Sequence, residues 1–210
     1  MIKLLSIFGM AFLVGFSGAV APGPVFTMTI SESLKRGFRA GPLIVFGHAI
    51  LEILLLLAIM LGLNEWLVKP EVTKFFALVG GIILLVMGGQ MIVTEKKATE
   101  QALHAEAKPE DAMRGPVMAG IVLSLSNPYW IIWWATIGLG LITKSLEAGL
   151  IGLALFYCGH ILADLTWYSF VSYTVSAGRR LCPPLVYRII FVVCGAGLIG
   201  LGLWFLISLL

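Results

Sequence analysis

Ser17-Gly18-Ala19-Val20-Ala21-Pro22-Gly23-Pro24-Val25-Phe26-Thr27 sets a Pro-Gly-Pro inside an apolar run that otherwise extends from Leu4 to Ile30. Proline removes a backbone donor and glycine adds conformational freedom, so a helix must stop here and restart. In hydrocarbon the freed polar groups find no partner, and such a break is tolerated only where protein or a watery cavity covers it. Pro24 suits the first position of the second half-helix, whose free N–H groups and positive dipole end then face whatever occupies the break. The plainer alternative is a kink, because proline is common in membrane helices. A second copy of the arrangement favours the binding reading: Ser124-Leu125-Ser126-Asn127-Pro128-Tyr129-Trp130 interrupts the apolar segment 117–142. Asn followed by Pro is a natural N-cap and first helical residue.

Of the 210 residues, 60% are hydrophobic and 12% charged, against about half and about a quarter in a soluble domain. The chain therefore reads as an all-α integral membrane protein. A span needs about 20 apolar residues, and six candidates lie at 4–34 with its internal break, 40–63, 72–93, 116–142, 148–173 and 187–210. They use nearly the whole chain and leave no soluble domain of any size. The net charge of +3 is spread over loops, which speaks to orientation and points to no nucleic-acid partner. Lys3, the apolar run and Ala19-Val20-Ala21 imitate a signal peptide with its cleavage site. Proline directly after the cut is unfavourable, however, and the run continues through Val25 to Ile30. Cys158, Cys182 and Cys194 are unpaired in spacing and set in apolar surroundings, which predicts buried thiols packing as small hydrophobes.

The second span carries Gly47-His48-Ala49-Ile50-Leu51-Glu52 and the fifth Gly159-His160-Ile161-Leu162-Ala163-Asp164. Residues four apart share a helix face. A central charge costs about 2.5–3.5 kcal/mol on insertion, and such residues usually face a protein interior where they act. The alternative is a neutral histidine bonded to a protonated acid as interhelical glue. The remaining histidine, His104, falls in the polar segment 94–115 and reads as solvated. Tyr129, Trp130, Trp133 and Trp134 follow the second break and suit either an interfacial belt or a cavity wall. Gly81 and Gly88 in the third span are seven apart, as are Gly195 and Gly202 in the sixth, a pattern that permits close helix approach.

Break, Gly-His-x-x-x-acid and glycine-rich span thus occur twice, in residues 1–93 and 116–210, on either side of the linker 94–115. Three spans per half force the halves to enter the membrane from opposite sides. This predicts a 3+3 inverted repeat with broken helices 1 and 4, the plan of many secondary transporters, which hold their substrate where discontinuous helices meet. Ten of the fourteen Lys and Arg residues lie in the loops after spans one, three and five. The positive-inside rule then makes the linker cytoplasmic and both termini extracytoplasmic, in a multi-pass protein of the cell membrane.

Pro22-Gly23-Pro24, Gly37-Phe38-Arg39-Ala40-Gly41, the glycine-rich third span, the polar central loop, Asn127-Pro128 and Asp164 resemble the LysE/RhtB type of amino-acid exporter, within the LysE superfamily. The resemblance covers essentially the whole chain. It implies efflux of amino acids or related metabolites, driven by a proton or ion gradient. Two features depart from the family pattern: the paired His48 and His160, and Tyr129-Trp130 after Asn-Pro.

The expected substrate site is Pro22, Gly23, Pro24, Thr27, Asn127, Pro128, Glu52 and Asp164, with the substrate carboxylate between the half-helix starts and its amino group near an acid. Two carboxylates sharing a cavity repel one another, so at least one should be able to carry a proton. Glu52, Asp164, His48 and His160 are the expected coupling groups for H+ or Na+. No cofactor and no enzymatic activity are expected. The main rival is a divalent metal-cation transporter using His48, Glu52, His160 and Asp164 as four ligands. A membrane thiol-disulfide carrier would need reactive cysteines at the breaks, which contain none. A purely structural subunit would not need ionisable pairs in two spans. The small-residue faces of spans three and six suit either intramolecular packing or a homodimer.

Overall fold

A computed structural model describes residues 2–20, 23–63, 69–104, 114–125, 127–178 and 183–207. Pro22, Ser126, Lys108, Arg179, Arg180 and Cys182 fall outside the described residues. Every described element is a helix: α1 (Ile2–Ala19), α2 (Pro24–Arg36), α3 (Ala40–Ala58), α4 (Pro70–His104), α5 (Arg114–Leu125), α6 (Pro128–Trp133), α7 (Leu139–Leu146), α8 (Gly149–Gly178) and α9 (Pro184–Ile207). Among the described residues, five helical segments are long and apolar enough to cross a membrane, or six if the bent pair 115–125 and 129–146 counts as one span.

Helix α2 starts at Pro24 and α6 at Pro128. Gly23 is extended ahead of Pro24 and its carbonyl accepts from Thr27 N–H at 3.1 Å, opening α2. Asn127 is extended ahead of Pro128 and its side-chain oxygen accepts from Tyr129 N–H at 3.1 Å, so an N-cap satisfies one of the free donors of the new helix. The axis turns by 63° there. A π-helical turn, Trp134–Gly138, joins α6 to α7 in one helical path. The division of the first half differs from the expected spans. Gly37, at φ 74°, makes a tight corner, and the 3-10 turn Gly37–Arg39 joins α2 to α3. The apolar helical path therefore runs from Pro24 to Leu63, and the eighteen residues of α1 stand as a separate segment.

The main helix pairs are α4 with α9, α1 with α8, and α3 with α5. Missing side chains set these approaches. A Cβ on Gly88 would lie 2.5 Å from the Gly195 carbonyl, and one on Gly202 would lie 2.8 Å from that of Gly81, so the two seven-residue spacings mesh with each other in antiparallel helices. The glycine before each motif histidine acts similarly. A Cβ on Gly47 would collide with the Val117 carbonyl of α5, and one on Gly159 would lie 2.5 Å from the Phe8 carbonyl of α1.

Polar ties cluster toward the basic loops. Buried Glu32 pairs with Lys35 at 3.2 Å and with Arg36 at 2.5 Å, and the hydroxyls of Ser33 and Ser172 lie 2.7 Å apart. Arg188 of α9 makes a bidentate pair with Glu95 of α4. The thiol expectation holds for Cys194, which is buried, but needs correction for Cys158, which is exposed. It precedes Gly159 on the opposite side of α8 from His160, and the apolar outer surface of the bundle accommodates it.

Candidate functional site

Helical spacing places His48 and Glu52 on one face of α3, and His160 and Asp164 on one face of α8. The two faces meet. One ligating atom from each of the four buried residues lies within 4.8 Å of the others. His48 Nε2 is 2.9 Å from Glu52 Oε1 and 3.5 Å from Asp164 Oδ2; His160 Nε2 is 3.2 Å and 3.7 Å from the same two atoms. Each histidine thus faces both acids, including the one contributed by the other helix.

Glu52 is fully buried. The indole N–H groups of Trp130 and Trp134 each donate to its Oε1 at 3.1 Å. Burying a carboxylate is tolerable only with such partners. His48 is held from behind, its Nδ1 lying 2.7 Å from the Ser124 hydroxyl, which leaves Nε2 to face the acids. His160 is held instead by rings: Trp133 at 4.8 Å between centroids, and Phe156 at 6.2 Å and nearly parallel. Its Nδ1 has no hydrogen-bond partner among the described residues. Glycine is required alongside, because a Cβ on Gly15 would lie 2.7 Å from that nitrogen. Glu52 Oε2 and Asp164 Oδ2 are likewise buried without a hydrogen-bond partner among the described residues.

These groups border a cavity of about 80 Å³, whose lining also includes Gly23, Pro24, Ser124 and Asn127. Both helix restarts and both His–acid pairs therefore open on one chamber, large enough for a few water molecules. Gly23, Pro24, Asn127, Glu52, Asp164, His48 and His160 are brought together as the sequence led us to expect. Thr27 is not. It lines a neighbouring cavity of about 260 Å³, which reaches the chamber only at Pro24 and is otherwise bordered by residues such as Met87, Met91 and Thr94. Its hydroxyl donates to the Gly23 carbonyl at 3.1 Å, because the helical step from Pro24 turns it away from the break. Pro22 lies outside the described residues, and Pro128 is defined only as the start of α6.

Trp130, Trp133 and Trp134 line the chamber, and Trp130 and Trp134 donate to Glu52 within it, so the cavity-wall reading replaces the interfacial belt for these three. Their i, i+4 spacing from Trp130 to Trp134, immediately after a helix restart, was the signal for a shared inward face. Ser124 carried no comparable signal, since only the fold brings it against His48.

Residues 16–209 match the LysE type translocator family. The chain is 28% identical over 202 residues to "Putative amino acid efflux protein YcgF" of Bacillus subtilis (strain 168), a match covering 96% of this chain and 95% of that protein. It is 30% identical over 204 residues to "Chemotactic transduction protein ChpE" of Pseudomonas aeruginosa, covering 95% of this chain and 97% of that protein. No solved structure matches the chain significantly. With nearly its full length matched, with apolar membrane-crossing helices and with a polar chamber among them, this chain belongs to the LysE type translocator family.

Proposed function

We propose that the protein is a secondary active exporter of an amino acid or a closely related small zwitterion, working by alternating access around the chamber. The observation that carries this reading is the shared lining: two helix starts and two carboxylates border a single cavity. Backbone N–H groups at the starts of α2 and of the helical path 128–146 suit a carboxylate, while Glu52 and Asp164 suit an ammonium group. Recognition therefore rests on charge of both signs in one small space. The family and the name of the Bacillus relative support efflux of amino acids, and they do not favour a metal ion as the cargo.

Coupling follows from competition. A proton or sodium ion and the substrate ammonium share the same carboxylates, with His48 and His160 one turn from each acid. The pairing of helices supports the repeat architecture: exchanging residues 1–93 with 116–210 turns the α1–α8 contact into the α5–α3 contact and leaves α4–α9 paired with itself. In this reading the halves are inverted in the membrane, the linker 94–115 is cytoplasmic and both termini are extracytoplasmic. The mutual engagement of Gly81, Gly88, Gly195 and Gly202 within one chain accounts for the small-residue faces without a homodimer.

The test is a counterflow screen in proteoliposomes with labelled amino acids. Saturable exchange of at least one amino acid, dependent on internal unlabelled substrate, is the expected result. Failure of every amino acid to exchange would overturn the proposal.

A further inference from the structure

We propose that His48, Glu52, His160 and Asp164 form a four-coordinate binding site for a divalent transition-metal ion of the zinc class, acting as a bound ligand and not as the cargo. A tetrahedron with bonds of about 2.0–2.2 Å has edges of about 3.3–3.6 Å. The four nitrogen-to-oxygen separations are 2.9, 3.5, 3.2 and 3.7 Å, and each residue offers a ligand atom within 4.8 Å of those of the other three. Side chains collected only by hydrogen bonding do not need this pattern. A single Nε2–H points at one oxygen, yet each imidazole nitrogen here addresses two, and Asp164 Oδ2 is buried without a hydrogen-bond partner among the described residues. A cation at the centre gives all four atoms one partner.

The surroundings supply the supports that metal ligands ordinarily have. A ligating histidine is usually fixed through its other nitrogen, and a ligating carboxylate is usually hydrogen-bonded. Ser124 lies against His48 Nδ1, and the Trp130 and Trp134 N–H groups donate to Glu52. Two imidazoles with two carboxylates suit zinc or cobalt(II) better than magnesium or calcium, which prefer sites built from oxygen. Among the described residues no thiol borders the chamber, which argues against a soft monovalent ion.

The binding claim stands without the transport reading; one consequence rests on it. An ion held by two residues of α3 and two of α8 ties these helices together and occupies both carboxylates, so zinc inhibits export.

The experiment is a titration of purified, tag-free protein in detergent with cobalt(II). The expected result is one equivalent bound with the intense visible absorption of tetrahedral cobalt, discharged by zinc. His160→Gln and Asp164→Asn should weaken binding at least 100-fold while melting, metal-free, as sharply as the unmodified protein. Ser124→Ala, which leaves all four ligands in place, should weaken it roughly 10- to 100-fold. Only the faint absorption of octahedral cobalt, or unchanged affinity in folded His160→Gln and Asp164→Asn, would overturn the site. An intact cobalt spectrum in a protein that exchanges no amino acid would uphold the site and fail the export reading. Counterflow indifferent to zinc would remove the inhibitory role.

Discussion

The two Gly-His-x-x-x-acid helices look interchangeable in sequence and are not interchangeable in space. On α3, Glu52 is fully buried with two indole donors on one oxygen, and His48 is fixed from behind by Ser124. On α8, Asp164 Oδ2 has no hydrogen-bond partner among the described residues, and His160 reaches Glu52 Oε1 through Nε2 at 3.2 Å while its Nδ1 has no partner among the described residues and its ring lies against Trp133 and Phe156. The α3 pair has more hydrogen-bonding support from side chains outside the cluster than the α8 pair has. A duplicated motif can thus place two acids in different surroundings, because Ser124, Trp130 and Trp134 hydrogen-bond to His48 and Glu52.

The sharpest way to break this contrast is to truncate each acid. Glu52→Ala leaves two buried indole N–H groups and two imidazoles without their acceptor, and removal of one partner from a buried charged network costs about 3–5 kcal/mol. Its melting temperature in detergent should fall by roughly 10 °C, and Asp164→Ala should lose less than half as much. Equal losses would erase the distinction. Ser124→Ala comes next: leaving His48 Nδ1 without the hydroxyl costs about 1–3 kcal/mol and should lower counterflow roughly tenfold. A third comparison concerns the glycines. Gly47→Ala and Gly159→Ala each drive a methyl into a backbone carbonyl, whereas Gly9 has open space around it. Overpacking of this kind costs about 1–3 kcal/mol, so both should melt lower while Gly9→Ala melts unchanged. The smallest effect is expected for Trp133→Leu, which removes a ring contact to His160 worth about 0.5–1.5 kcal/mol and should lower counterflow less than tenfold.

Much of this was legible in the sequence for identifiable reasons. Proline and glycine act locally, so the restarts at Pro24 and Pro128 could be read without knowledge of the fold. The i, i+4 spacing fixed the faces of His48 with Glu52 and of His160 with Asp164, and their cost in a membrane argued for an interior location. What escaped depended on contacts across the bundle. Ser124 lies 76 positions from His48 in the chain, and nothing local pairs them. Thr27 follows the break in sequence but is turned into the neighbouring cavity by the helix that Pro24 starts. The Gly37 corner, by joining α2 to α3, redistributed the apolar segments that hydropathy alone divides at the basic loop.

The central claim is that the chamber holding both acids is where substrate binds, and counterflow of the identified amino acid through Glu52→Gln and Asp164→Asn proteins tests it most directly. Both replacements keep the side-chain shape and remove the charge. Each protein should fold, reconstitute and exchange substrate at least 100-fold more slowly than the unmodified chain. Exchange at the full rate in both would contradict it.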